Sequence, residues 1–313
     1  MKPNMISFAL VLCICSIFLF FPSTCFTGAK KGLELWFFTL IPSLYPFLVV
    51  TNTILLSELF LSLCKVLKPI FCPLFGVSEN GCFPLLVGLL SGYPMGAKAC
   101  ADLVKENKIS LSEGQYLLCF VNNPSPIFLL CYISQICLKC PQYCFYFYGI
   151  LLLSACLVSF CYRLKYKTKK FSHPSQEQLY RTQPSARKVI DKAMRNASRT
   201  MTSIGGYIIF CSILTHTIQT APHLSVAFKI GILALIELSI GSHAICQFAF
   251  PLHIKIILTL TVASFGGLCS VLQTHSVIAE SGLSIKKYIF AKLLQSLLVS
   301  ILALGFTWKV LSL

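Results

Sequence analysis

Acidic residues are scarce in this sequence. Only 10 of 313 positions are Asp or Glu, and all charged residues together make 12% of the chain. A soluble domain carries about 25%. The deficit leaves too little polar surface to cover a globule in water, which excludes an ordinary soluble protein and fits a lipid-solvated one. Also missing are a P-loop, a dinucleotide fingerprint, a hydrolase elbow and a zincin motif. No catalytic residue, cofactor or metal is assigned, and the chain is read as a non-enzyme.

Apolar residues are plentiful, at 56% of the chain with mean hydropathy +0.78. They fall into runs of roughly 20 residues, the length needed to cross a bilayer. The sequence predicts an all-α, polytopic transmembrane helical bundle in the cell membrane, with about eight to ten spans in contact with lipid. The net charge of +16 comes largely from one segment, so it is read as a topology signal and not as a nucleic-acid site. Most of the 17 cysteines sit inside apolar runs, where Cys acts as a small hydrophobe. Cys137, Cys140 and Cys144 form a C-x2-C-x3-C cluster with no second pair or His group beside it, a weak metal or disulfide signal.

Four regions follow. Residues 1–27 form an N-terminal span. Residues 28–162 form a first membrane half, in which Leu59 to Phe75, with two Lys and two Pro, is too interrupted for a clean span. Residues 163–199 form a loop with eleven Lys or Arg and two acids, which the positive-inside rule makes cytoplasmic. Within it, 186–199 is read as a basic amphipathic helix lying on the inner leaflet. Residues 200–313 form a second membrane half. Lys286 and Lys287 also argue for the inside, and the orientation of the termini is left open.

Several spans are broken by turn formers: SGYPMG (91–96), NNPSP (122–126) and SFGG (264–267). Irregular backbone at membrane depth is tolerated where it is buried in protein or lines a cavity. Paired broken segments in the two halves point to a midplane site. The Gly205-Gly206 pair reads instead as helix packing. Glu237, alone in ILALIELSIG, is a carboxylate at depth, either functional or a helix–helix hydrogen bond. Lys98 is its expected partner across the halves, although snorkelling to the interface is the plainer role. The candidate substrate-binding set is Ser91, Gly92, Tyr93, Lys98, Asn122, Asn123, Ser125, Glu237, Gly266, Gly267 and Gln273. The apolar runs 143–162 and 288–310 are uninterrupted and read as scaffold.

The motifs SGYPMGAK (91–98), ISLSEGQ (109–115) and FVNNPSPIF (120–128), with IGGYIIF (204–210), LIELSIG (235–241) and SFGGLCSVLQ (264–273), resemble the YlbJ family of sporulation integral membrane proteins. That family is part of the broader nucleoside-recognition or Gate group. The resemblance covers about Leu33 to Ala291. It implies two related, inverted halves with broken or re-entrant helices, and a role in endospore cortex formation. It also implies kinship with nucleoside transporters, and hence a small polar solute, nucleoside-like or an ion. The alternatives are a non-transporting factor that recruits sporulation membrane proteins through its basic loop, and a membrane enzyme acting on lipid-linked precursors.

Overall fold

A computed structural model of the chain describes residues 12, 15–16, 18–166 and 185–310. Most of the N-terminal span expected within 1–27, and residues 167–184 of the basic loop, lie outside the described residues. Every regular element among the described residues is a helix. They are α1 (Pro22–Leu55, with a π-helical stretch at Leu35–Leu40), α2 (Leu59–Phe75), α3 (Cys82–Ser91), α4 (Met95–Lys105) and α5 (Leu111–Leu118). Then come α6 (Phe128–Cys137), α7 (Cys144–Tyr166), α8 (Ala186–Thr220), α9 (Val226–Ile236) and α10 (Leu238–Gln247). The last are α11 (Leu252–Phe265), α12 (Gly267–Ile278) and α13 (Ile285–Val310).

Among the described residues, five stretches are long and apolar enough to cross a bilayer: Pro22–Leu55, Pro141–Arg163, Ala186–Thr220, Leu252–Ile278 and Ile285–Val310. This is fewer than the eight to ten expected. The physical reason is length. α3, α6 and α9 have 10, 10 and 11 residues, which at ~1.5 Å per residue is about half of a ~30 Å hydrocarbon core. Apolar runs that read as spans are therefore half-length pieces joined by short irregular backbone.

Two long helices run antiparallel along one side. Gly28 and Gly32 of α1 lie on Ile213 and Ile209 of α8, close enough that an added Cβ would come within 2.8 and 2.7 Å of their Cα atoms. Farther along, the Trp36 indole donates to the Met201 carbonyl at 3.0 Å and covers Gly205, while nothing approaches Gly206. The glycine pair thus serves packing at one of its two positions.

α8 corrects the reading of the basic segment. Residues 186–199 are not a separate helix. They continue the following span as one element of 35 residues, about 52 Å long. No Gly or Pro interrupts residues 186–204, and Val189, Ala193 and Ala197 form a buried stripe at four-residue spacing. The boundary expected at 199/200 falls inside this helix.

Contacts sort the helix ends into two faces. At the basic face, Arg163 donates to the Leu74 carbonyl at 3.3 Å, and Lys105 pairs with Glu280 at 2.8 Å. Gln115 also exchanges hydrogen bonds there with the Ser284 backbone, at 2.7 and 3.4 Å. At the other end, Tyr143, Tyr146 and Phe147 pack on Phe306 with ring centroids 5.5, 5.5 and 5.8 Å apart. α3 and α4 form a hairpin starting from the basic face, with Gly96 against Gly88. α9 and α10 form a second hairpin, with Gly241 against Ala234.

Candidate functional site: a buried polar cluster at the helix breaks

The chain breaks helically at four places that meet in pairs. The α3–α4 turn, Gly92-Tyr93-Pro94, packs on the irregular run between α5 and α6. Here backbone touches backbone. A Cβ on Gly88 would strike the Val121 carbonyl oxygen, one on Gly96 would lie 2.7 Å from it, and one on Gly92 would collide with the Ser125 backbone nitrogen. Gly92 also has φ +79°, a conformation glycine adopts without steric cost. Ser125 then starts α6, its hydroxyl accepting from Phe128 N at 3.2 Å.

The second pair repeats the arrangement. The α9–α10 hairpin turns at Glu237, whose backbone is extended at φ −144°, ψ 126°. It packs on the α11–α12 break, where a Cβ on Gly267 would meet the Ile236 carbonyl oxygen at 2.9 Å. Tyr93 joins the two pairs. Its hydroxyl donates to the Ser264 carbonyl at 2.8 Å, and its ring covers Gly266.

Beside these junctions lies Lys292 of α13, with 0% exposure. Its side-chain nitrogen donates to the Asn122 carbonyl at 3.0 Å, to Asn123 Oδ1 at 3.1 Å and to Gln295 Oε1 at 2.7 Å. It also sits 5.0 Å from the Tyr93 ring centroid, within cation–π range. Gln295 Nε2 donates to Asn123 Oδ1 at 2.8 Å and to Ser154 Oγ at 3.2 Å. Asn122 Nδ2 donates to Thr274 Oγ1 at 2.9 Å and to Tyr288 OH at 3.0 Å. Every acceptor around Lys292 is neutral, and it takes part in none of the ion pairs among the described residues. A lysine buried in lipid-embedded protein without a counterion is expensive and marks function by default. Two more groups point to an incomplete network: Asn122 Oδ1 and Ser91 Oγ are buried with no hydrogen-bond partner among the described residues.

Of the residues singled out by sequence, Ser91, Gly92, Tyr93, Asn122, Asn123 and Ser125 gather at the first junction, and Glu237, Gly266 and Gly267 at the second. Lys98 departs from its expected role. It pairs with Asp102 one turn along α4, a geometry any i, i+4 pair reaches locally, and not with Glu237. Glu237 instead accepts from Ile240 N at 2.7 Å and caps α10. Gln273 stays on its own helix, donating to Cys269 Sγ at 3.2 Å; its neighbour Thr274 is the residue that reaches Asn122.

Sequence reasoning missed Ser154, Thr274, Tyr288, Lys292 and Gln295. α7 and α13, read as scaffold, supply four of them from within uninterrupted helices. The available signal was Lys292 itself, a lone cation inside an apolar run, followed by Gln295 on the same face.

Comparison with known proteins places this geometry in context. The sporulation integral membrane protein YlbJ of Bacillus subtilis (strain 168) is 27% identical, in a match covering 95% of this chain and 83% of the relative. This near full-length similarity supports the YlbJ-family resemblance carried by the motifs. No family model matches the chain, and no solved structure gives a significant match. The relative is an integral membrane protein, and five described stretches here are long and apolar enough to cross a bilayer. Both agree with a multi-pass membrane protein.

Proposed function

We propose that this chain is a permease-like protein of endospore formation that binds a small polar solute at the Lys292 cluster. It is a binding and transport protein and not an enzyme. The observation that carries this reading is the fully buried Lys292, held by a backbone carbonyl and a neutral amide of a broken segment and by Gln295 of its own helix. When protonated, Lys292 brings a positive charge that its neutral neighbours do not balance. The cluster therefore favours a solute with negative charge over a neutral nucleoside. Tyr93 supplies a ring face and Asn122 Oδ1 a free acceptor.

The element order supports reading the two halves as inverted repeats. Each comprises a hairpin turning at depth, a broken crossing segment and a full span: α3–α4, α5–α6 and α7, then α9–α10, α11–α12 and α13. The first hairpin starts from the basic face and the second from the opposite one. On this reading the hairpins are re-entrant, and the cluster lies near the midplane.

The test is a thermal-shift screen of the purified protein against small carboxylates, phosphates and nucleosides, followed by uptake into proteoliposomes. A ligand at 100 times its Kd stabilises by about 2.7 kcal/mol. Anions should stabilise wild type and fail to stabilise Lys292→Met. Equal binding and uptake by wild type, Lys292→Met and Asn123→Ala would place the site elsewhere.

One observation favours a second reading, recruitment of sporulation membrane proteins. Arg187, Lys188, Lys192, Arg195 and Arg199 are all exposed on the first half of α8. Replacing these five by Gln should abolish sporulation under that reading and leave solute uptake intact under the first.

A further inference from the structure

The C-x2-C-x3-C motif finds a thiol partner in the other half of the chain. Cys137 closes α6, and Cys246, near the end of α10, packs against the apolar cluster that holds Ile133, Leu138 and Cys140 around that helix end. Cys137 is 7% exposed and Cys246 half-buried. The two helices are already pinned together farther in, where Tyr132 OH donates to the Ser239 carbonyl at 3.0 Å. On the other side, Cys246 Sγ lies 3.5 Å from Thr259 Oγ1 of α11. The turn after α6 is fixed by Ser134, whose hydroxyl donates to the Cys140 carbonyl at 3.0 Å, so Cys137 is held at that helix end.

Location separates this pair from the other thiol neighbours. Cys72 and Cys82, with sulfurs 3.5 Å apart, lie by the loop that Arg163 covers, at the basic face. Cys211 and Cys269 share one apolar cluster, but both are buried within long spans. Cys137 and Cys246 flank the Cys144 start of α7 and the Leu252 start of α11, the ends far from the basic loop. With the basic loop cytoplasmic, the pair faces the non-cytoplasmic side, where disulfides persist.

We propose that Cys137 and Cys246 are a redox pair whose disulfide ties α6 of the first half to α10 of the second at the non-cytoplasmic end. The oxidant is a small or protein disulfide. The Cys246 thiol loses its proton and its sulfur attacks one oxidant sulfur, releasing the other as a thiolate. The Cys137 thiolate then attacks Cys246 in that mixed disulfide and releases the second oxidant thiolate. Two thiols of this chain become one S–S bond, and one oxidant disulfide becomes two thiols. The inference does not depend on the identity of any solute.

The experiment uses the full chain in membranes. Samples are equilibrated with glutathione disulfide or with dithiothreitol, denatured, and alkylated with a mass-tagged maleimide, so that burial does not mask a thiol. The expected result is two thiols fewer in the oxidised sample, and a non-reduced digest with a peptide joining the Cys137 and Cys246 segments. Cys246→Ser should remove the oxidant-dependent loss. Full alkylation of both residues after oxidation overturns the proposal. So does a bridge that maps to Cys140, to Cys144 or to the Cys72–Cys82 pair in place of Cys137–Cys246.

Discussion

Lys292 lies 3.1 Å from the side-chain oxygen of Asn123, 169 positions away in the chain. One comes from a helix with no break and the other from a segment that is nearly all break. The cluster exists because the broken backbone leaves Asn122 O free of any helical partner, so an ammonium can take it.

Lys292→Met separates function from stability. Lys292→Met removes the cost of a buried, unpaired charge but leaves Asn122 O and Gln295 Oε1 without their donor, at about 1–3 kcal/mol per unsatisfied group. Asn123 Oδ1 keeps its bond from Gln295. The two effects oppose each other, so the unfolding midpoint in detergent should stay close to wild type while anion-dependent stabilisation disappears. A lower midpoint would make Lys292 a structural residue.

Gly88→Ala should be among the most damaging single-methyl changes in the chain. The new Cβ meets the Val121 carbonyl oxygen, which is backbone and cannot rotate away. Overpacking of this kind costs about 1–3 kcal/mol, read as a drop in the unfolding midpoint and in membrane yield.

Adjacent glycines give a paired control. Gly205→Ala drives a Cβ to 2.5 Å from the Trp36 indole nitrogen, whereas Gly206 has open space. The first should destabilise. The second should be neutral or gain up to about 1 kcal/mol of helix propensity. Tryptophan fluorescence should shift for Gly205→Ala and not for Gly206→Ala.

Glu237→Gln should fold like wild type, because an amide oxygen still accepts from Ile240 N. Glu237→Ala removes the cap and should cost about 0.5–2 kcal/mol. If Gln is as damaging as Ala, the negative charge itself is what Glu237 supplies.

Acid should loosen one basic-face contact. The hydrogen bond and charge of Lys105 hold the Glu280 carboxyl below its usual range. A lowered folded pKa means the contribution is present above the ordinary carboxylate range and is lost as pH falls through the lowered value. Glu280 is exposed, so the effect is small and screened by salt. Glu280→Gln should abolish that part of the acid dependence at low ionic strength and change little at 1 M salt, where the Debye length is about 3 Å.

Three of the four breaks were legible because Gly, Pro and Asn punctuate them: SGYPMG, NNPSP and SFGG. The fourth was not, since Leu235-Ile236-Glu237-Leu238 contains no turn former; its extended residue doubles as a helix cap. Among the described residues fewer helices than expected are of full spanning length, because half-length helices carry the composition of whole ones. Facing was less legible still. Gln273 and Thr274 are neighbours of similar polarity, and only the rotation of α12 decides which one meets Asn122. Lys98 found Asp102 locally, four residues on, before any partner in the other half could compete. α13 hid its role because its helix is regular, and periodicity says which residues share a face but not what that face meets.

Where Gly88 meets Val121, no side chain stands between hairpin and broken segment. There is no rotamer to flip and no gap to close. That joint has no hinge: push the hairpin, and the broken segment goes with it as one block. Any slack the protein has must lie where longer side chains interleave, outside this glycine-lined seam.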